Sequence, residues 1–128
     1  MDKNIEILKK QEDLLQFPHF NHSTAYEFGT FMVSCAQNQN ITIAISIRMN
    51  NGCIAFQYCP DGTNLLNQKW MERKFNTVSM MERSSLLSAL TFEQDYDTLE
   101  NHGLSATDYA LCGGGFPIRI KGNSVVIG

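Results

Sequence analysis

The sequence predicts an α+β domain in which helices pack on an antiparallel sheet. Three observations carry this prediction: a β-hairpin pattern near the middle of the chain, a second strand–turn–strand pattern at its end, and helical segments before and between them. The predicted order is α-α-β-β-α-α-β-β. Because each pair of strands is joined by a short turn, no parallel crossover is required, and a doubly wound parallel fold is not expected.

The first two predicted elements are helices. Residues 1–16 place isolated apolar residues close to one helical stripe, and the following Phe17-Pro18 ends this N-terminal helix, which we expect to pack on the rest of the domain. Ser23 or Thr24 is expected to cap a second helix, with Glu27 near its first turn. This helix is expected to end at residues 38–40.

The most regular pattern lies between Ile41 and Tyr58. Four isoleucines at alternate positions are separated by Thr42, Ala44 and Ser46, which is typical of a half-buried strand. Asn51-Gly52 then predicts a tight turn in which both residues have positive φ. The sequence therefore predicts one antiparallel hairpin that spans residues 41–58.

The second half of the chain alternates helices and turns. A helix is expected from about Leu65 to Met81, and Ser84 or Ser85 caps a short helix that follows. Gly103 ends a further helical turn. The remaining features are a segment at 105–108 that resembles a helix capping box, a glycine-rich loop at 113–117 and strands at 118–120 and 125–127.

Composition limits the function classes. The chain has 128 residues, 43% of them hydrophobic and 18% charged, which predicts one globular domain over residues 1–128. The net charge of −3 and the absence of a basic stripe argue against nucleic acid as a partner. Apolar runs are strand-sized, so no membrane partner is expected. Because residues 1–10 lack an apolar signal core, we expect the cytoplasm as the location.

Two cations on the third helix are candidate ligand-binding residues. On a helical projection, Lys74 falls near the middle of an apolar arc that includes Trp70, and Arg73 falls inside the edge of this arc. A cation on an apolar face is costly unless it meets an anion or reaches water. Lys74 therefore either binds an anionic ligand or extends to solvent or to a carboxylate such as Glu82. Arg73 has the same alternatives, including a subunit interface, and Trp70 belongs either to the core or to a pocket wall.

The glycine run Gly113-Gly114-Gly115, with Phe116 after it, is the second candidate for the ligand site. Glycines allow close approach of the backbone to a ligand, and consecutive amides can bind an anion. The run matches neither a dinucleotide fingerprint nor a P-loop, and a tight turn explains it equally. Ser84 and Ser85 could offer hydroxyls to the same ligand, or only cap a helix.

Histidines and cysteines give weaker indications. His19 and His22 are three residues apart, His102 could be a haem ligand or a helix C-terminal cation, and Cys112 adjoins the glycine run. No CxxC pair is present among the four cysteines, so reduced, partly buried thiols are expected and no metal site is predicted. Catalytic residues stay unknown, since no triad spacing is present.

The candidate residues belong to a longer pattern of short motifs. It consists of Gly62-Thr63, Asn67, Trp70, Arg73-Lys74, Val78, Ser84-Ser85, Tyr109-Ala110, Gly113-Gly114 and Phe116-Pro117-Ile118, with Phe20, Ala25 and Gly29 before it. Taken together, these motifs resemble uncharacterised protein family 0303, within the GlcG-like haem-degrading-domain superfamily. The resemblance covers residues 15–128 approximately. It implies a profilin-like α/β/α sandwich with a five-stranded antiparallel sheet, and homo-oligomers. Haem becomes the first candidate ligand, although no iron ligand is transferred to this chain.

The C-terminus departs from the family pattern. Relatives continue past Gly128 with a strand, an Asp-His pair and a terminal helix, so the resemblance implies a shortened last strand and no terminal helix here. One sheet face would then be exposed, which favours instability or association. Either the chain is a truncated product or a neighbouring subunit covers this face.

Three functions follow in order of preference. The first is binding of a small anionic ligand, with haem or another tetrapyrrole foremost, between residues 70–85 and the glycine run. The second is an oligomeric scaffold whose partner is a second copy of the chain. The third is an enzyme acting on a small carboxylate metabolite with Lys74 as electrophilic stabiliser; it ranks last because no general base is evident.

Overall fold

The protein has an α+β fold, as the sequence predicts. The computed structural model describes residues 2–128. Its elements are α1 (Lys3–Leu14), α2 (His22–Asn38), β1 (Ile45–Arg48), β2 (Ile54–Tyr58), α3 (Leu65–Met81), α4 (Ser85–Gln94) and a 3-10 turn (Glu100–His102). The predicted bounds of α3 are confirmed, and Gly103 ends the 3-10 turn with a φ of 73°. Over residues 2–128, none of the helices combines the length and apolar character that crossing a membrane requires.

The start of α2 differs from the prediction. The capping residue is Asn21, not Ser23 or Thr24: the Thr24 amide donates to Asn21 Oδ1 (2.9 Å), and the Asn21 amide donates back to Thr24 Oγ1 (3.3 Å). Thr24 thus serves as the third residue of a reciprocal capping box. The 105–108 segment likewise forms a turn instead of a helix start, closed by the bond from the Asp108 amide to the Ser105 carbonyl.

The hairpin is shorter than predicted. β1 begins at Ile45, which pairs with Tyr58, and residues 41–44 have no strand opposite them because β2 ends before Pro60, which has no amide to donate. The turn also differs: the Gly52 amide donates to the Met49 carbonyl (2.8 Å), and Gly52 has a positive φ of 89° whereas Asn51 does not. A single left-handed residue is therefore sufficient to reverse this chain.

Over the described residues, the sheet has two strands, whereas the resemblance implied five. The predicted strands at 118–120 and 125–127 meet only as an isolated antiparallel bridge between Arg119 and Val126. Ile120 bridges Phe17, and this contact is parallel. Isolated bridges replace strands here because each run of paired residues is too short to form a ladder. The turn between them is confirmed by the Asn123 amide bonding to the Ile120 carbonyl.

Helices cover both faces of the hairpin. Ile47 is 5% exposed and packs with Ala25 of α2 in the main core. The next residue, Arg48, points the other way, with its guanidinium 5.9 Å from the centre of the Phe75 ring on α3. A Cβ at Gly29 would collide with the Phe56 ring, so glycine lets α2 approach β2 closely. The result is a helix–sheet–helix arrangement, with α4 packed on α3 and α1 on α4.

Candidate functional site

A large cleft lies between the hairpin, α3 and the glycine-rich loop. Its volume is about 1340 Å³. The continuous segments 41–48 and 112–118 form much of its wall, and Gly128 lies between them, bonded to Ile118 and against Arg48. Residues of α2 and α3, with the segment 14–17, complete the lining. Six of the nine predicted ligand-binding residues line this cleft: Trp70, Lys74, Gly113, Gly114, Gly115 and Phe116.

Lys74 is the cation of α3 that lies in the cleft wall. It is half-buried, and its Nζ lies 5.8 Å from the centre of the Trp70 ring. Neither Glu82 nor any other carboxylate of residues 2–128 forms an ion pair with it. Gly114 lies directly against this side chain, since a Cβ on Gly114 would be 2.8 Å from Nζ. The ammonium group is thus positioned at the glycine loop without an internal counter-charge.

Arg73 lies beside the cleft and supports its wall. The guanidinium lies 4.3 Å from the centre of the Trp70 ring, a stacking distance, and Nη2 donates to the Tyr109 carbonyl (3.3 Å). Its Nε is buried without a hydrogen-bond partner in the described structure. Arg73 therefore orients Trp70, which lines the cleft and is 38% exposed, so the pocket-wall interpretation of Trp70 agrees with its position.

The two serines hold neighbouring segments and do not line the cleft. Ser84 caps α4, because the Leu87 amide donates to its Oγ (3.1 Å). Ser85 is fully buried; its amide donates to the Gly115 carbonyl (3.0 Å), and the Gly115 amide donates to Ser85 Oγ (2.8 Å). The capping alternative thus describes Ser84, while Ser85 fixes the position of the glycine loop.

The glycine loop is shaped by packing and keeps amides available. Gly114 has a φ of 128°, which disfavours any other residue. A Cβ on Gly115 would lie 2.8 Å from Val78 Cγ2 and 3.2 Å from the Lys74 carbonyl. In the part of the chain that the structure describes, the amides of Gly113, Gly114 and Phe116 donate to no backbone carbonyl. Gly114 lies against the Lys74 ammonium, so an anion bound at this residue would contact both the ammonium group and a backbone amide.

The histidines lie outside the cleft. His102 Nε2 is 2.6 Å from Asp97 Oδ2, and this hydrogen bond, followed by one from Asn101, lowers the pKa of Asp97 from 3.8 to about 2. His102 is therefore held by a hydrogen bond to Asp97 and is not among the residues that line the cleft. Residues 2–128 contain no group of three side chains suited to a metal ion, so His19 and His22 gain no third ligand. Cys112 lines the cleft as a half-buried free thiol.

A second, smaller depression of about 360 Å³ lies at residues 59–65. It contains Gly62-Thr63 of the sequence pattern. Thr63 Oγ1 donates to the Pro60 carbonyl (2.7 Å), and Gly62 has a φ of 94°. These residues form the turn that leads into α3, which accounts for them without a ligand.

Sequence reasoning did not anticipate the wall formed by residues 41–48. The isoleucine alternation indicated a strand, but it did not show that one edge of this strand faces a cleft. The signal that could have revealed it is the continued alternation of Ile41 and Ile43 beyond the point where Pro60 stops the opposite strand. The α2 residues Phe28 and Met32, which the sequence analysis did not single out, line the same cleft.

The fold and the cleft together define a small α+β domain with a large, mostly apolar cleft between its hairpin, α3 and the glycine-rich loop. Residues 20–128 match the family model described as "Haem degrading protein HbpS-like". The chain belongs to this HbpS-like family, and among its curated relatives are the UPF0303 proteins. The resemblance identified from the motifs is therefore confirmed.

Curated relatives and a solved structure agree with this assignment. The chain is 35% identical over 127 residues to a UPF0303 protein of Yersinia enterocolitica, covering 98% of this chain and 75% of the relative. It is 39% identical over 123 residues to a UPF0303 protein of Serratia proteamaculans, covering 95% of this chain and 76% of that relative. The crystal structure of the Ybr137w protein superposes with a TM-score of 0.87 at 23% identity, over 96% of this chain and 73% of that one. The last similarity shows the shared fold.

Proposed function

We propose that the protein binds a small, anionic, largely apolar ligand in the large cleft, with haem or a related tetrapyrrole as the first candidate. The observation that carries the proposal is Lys74, a half-buried ammonium group in the cleft wall that has no ion-pair partner among residues 2–128. Such a cation is stabilised when a ligand anion replaces the water it would otherwise need. The amides of Gly113, Gly114 and Phe116, which have no backbone partner in the described chain, also favour an anionic ligand.

The chemistry of the cleft fits the organic part of haem. Apolar side chains from the isoleucine segment, α2 and Phe116 supply walls for a macrocycle, and Lys74 supplies a cation for a carboxylate. Family membership supports the choice, since the matching model is described as haem degrading. When bound, haem would supply its iron chemistry. Among the lining residues the thiols of Cys35 and Cys112 are available donors, and none of those residues is a histidine.

A catalytic role is less well supported. No aspartate, glutamate or histidine is among the residues that line the cleft, so a general base is missing from its walls. Ligand binding therefore takes precedence over the interpretation of Lys74 as an electrophilic stabiliser.

A haemin titration of the Lys74→Ala variant tests the proposal. We expect a saturable Soret band at a fixed ratio in the unaltered protein and an affinity at least several-fold weaker in the variant. Lys69→Ala is the matched control, because Lys69 is exposed on the same helix and does not line the cleft. Equal affinity of the Lys74 and Lys69 variants would contradict the role of Lys74. A non-saturable absorbance rise in the unaltered protein would contradict haem as the ligand.

A second candidate is an oligomeric scaffold that contacts further copies of itself. Large apolar side chains in the cleft region are exposed to between 38% and 77%, namely Leu14, Leu15, Ile41, Ile43, Trp70 and Phe116. Contiguous exposed apolar surface favours association.

The cytoplasm remains the proposed location, since the four free thiols suit a reducing compartment.

A further inference from the structure

A second cation lines the large cleft in addition to Lys74. Arg48, the last residue of β1, is half-buried and belongs to the cleft wall. Arg48 and Lys74 are the charged side chains of this lining, and no aspartate or glutamate is among its residues, although the whole chain has a net charge of −3. The cleft therefore concentrates positive charge in a chain that carries an excess of acidic residues.

The Arg48 side chain is held in position by two neighbours. Its Nε donates to Ser46 Oγ (3.1 Å), as expected for residues two positions apart, which share one face of a strand. Its guanidinium lies 5.9 Å from the centre of the Phe75 ring, so this face of β1 is the one directed toward α3. Arg48 is thus oriented toward the helix that also carries Lys74.

The two terminal nitrogens of Arg48 are available for a ligand. Among residues 2–128, neither Nη1 nor Nη2 of Arg48 forms a hydrogen bond, and no carboxylate forms an ion pair with this residue. Arg119 differs, since its Nη1 donates to Glu12 and its Nη2 donates to the Glu82 carbonyl. A guanidinium with both Nη groups free presents parallel N–H donors, which match the two oxygens of a carboxylate.

The two cations lie at different positions along α3. The guanidinium of Arg48 is next to the Phe75 ring, and the ammonium of Lys74 is 5.8 Å from the centre of the Trp70 ring. Trp70 and Phe75 are about 7.5 Å apart along the helix axis, given a rise of about 1.5 Å per residue. A ligand with one anionic group would pair with one half-buried cation and leave the other without a counter-charge. A ligand with two separate anionic groups can pair with both.

We propose that Arg48 is a second ligand-binding residue of this cleft, and that the ligand is an apolar molecule with two separate carboxylates. Arg48 binds one carboxylate through Nη1 and Nη2, and Lys74 binds the other. The inference rests on the proposed function, since it concerns the same cleft, and it adds a requirement for two negative charges. Haem meets this requirement through its two propionates, but the requirement does not depend on iron.

Haemin and its monomethyl ester, in which one propionate is neutral, test the inference. In the unaltered protein, we expect the ester to bind about 10-fold more weakly than haemin. Arg48→Met should bind haemin about 10-fold more weakly than the unaltered protein does, and should distinguish haemin from the ester by less than about 3-fold, because one cation remains. Arg83→Met is the matched control, since Arg83 is also half-buried but does not line the cleft, and it should behave like the unaltered protein.

The outcomes separate this inference from the proposed function. If Arg48→Met equals Arg83→Met while Lys74→Ala still weakens haemin binding, the second anchor is wrong and the proposed function stands. If neither Arg48→Met nor Lys74→Ala weakens binding, both are wrong. Arg48→Gln provides the same comparison should Arg48→Met fail to fold.

A second pair of probes applies if haemin binds without saturation, which would contradict haem as the ligand. The fluorescent probe bis-ANS is apolar and carries two sulfonates, whereas ANS carries one. We expect the ratio of bis-ANS affinity to ANS affinity to fall at least about 3-fold in Arg48→Met and to stay unchanged in Arg83→Met. Equal ratios in the two variants would overturn the role of Arg48.

Discussion

Glu12 is a buried carboxylate that links three separate parts of the chain. It is 5% exposed, accepts a hydrogen bond from Arg119 Nη1 (2.9 Å) and another from the Ser84 amide at the start of α4 (3.1 Å). Arg119 also donates to the Glu82 carbonyl (2.5 Å). A buried pair of this kind contributes little when both partners are exchanged for apolar groups, but loss of one partner leaves the other charge without compensation.

We therefore expect Glu12→Ala to lower the free energy of unfolding by about 3 kcal/mol. Urea denaturation measures the change. Glu6→Ala on the same helix is the control, because the Glu6 side chain is 50% exposed and its contact with Lys9 is 3.9 Å long. A similar small loss in both variants would show that the Arg119 contact is dispensable.

Asp97 gives a pH dependence that can be assigned to one residue. Its hydrogen bond to His102 lowers its pKa from 3.8 to about 2. Because the folded-state pKa is below the unfolded value, the stabilisation is present above about pH 3.8 and is lost as the pH falls through 2. The carboxyl carbon of Asp97 should titrate in NMR near pH 2 and move toward 3.8 in His102→Ala. An unchanged titration midpoint in that variant would remove His102 as the cause.

Among elements, the glycine loop shows why three similar residues are not equivalent. A Cβ added to Gly115 would lie 2.8 Å from Val78 Cγ2. A Cβ added to Gly113 would have a Leu86 side-chain atom, 3.7 Å away, as its nearest neighbour. The first distance requires movement of a packed helix, and the second is an ordinary contact. The loop is thus held against α3 through Gly115 and is free of α3 at Gly113.

We predict that Gly115→Ala destabilises the protein by about 2 kcal/mol through overpacking. Gly113→Ala should change stability by less than about 0.5 kcal/mol, as surface substitutions do. Thermal unfolding of the two variants provides the comparison. Equal stability would mean that the loop can move away from α3 without cost.

Elements that depend on residues close together in the sequence could be predicted, whereas elements that depend on distant residues could not. The bounds of α3 follow from an apolar arc and from a capping pair at its start, with Asn64 just before the helix and Asn67 in its first turn. The strands at 118–120 and 125–127 depend on partners far away in the chain. Their turn is predictable, but the reduction to single bridges is not, because strand length is set by what lies alongside.

At the scale of the whole molecule, the exposed apolar surface predicts self-association. If the scaffold candidate is correct, Ile41→Ser combined with Ile43→Ser should shift the protein to smaller species in sedimentation velocity, because these side chains are 50% and 48% exposed. Leu65→Ser with Leu66→Ser is the control, since both leucines are at least 64% exposed but lie outside the large cleft. A monomeric unaltered protein at all concentrations would rule out the scaffold.

The sequence predicted the kinds of residue that form the candidate site, but only some of the individual residues that line it. Lys74 stood out because a cation on an apolar helix face needs an explanation, and the structure places it in the cleft wall. Arg73 has the same sequence signal, yet it stacks on Trp70 and bonds to the Tyr109 carbonyl. Ser85 likewise turns to the glycine loop. The helical projection cannot separate these outcomes, because they depend on contacts with residues 30 to 40 positions away in the chain, such as Ser85 with Gly115 and Lys74 with Gly114.

By itself, the sequence determined the α+β class, the bounds of α3, the positions of the turns at Gly52 and Gly103, and the family, since each follows from local periodicity, from φ requirements of single residues or from a motif pattern. Only the tertiary structure decided that β1 has an open edge, that Gly128 lies beside it and that Lys74 has no counter-charge among the described residues. The physical reason is that open edges and missing charge partners are relations between distant segments, and no local pattern records what fails to lie next to a residue.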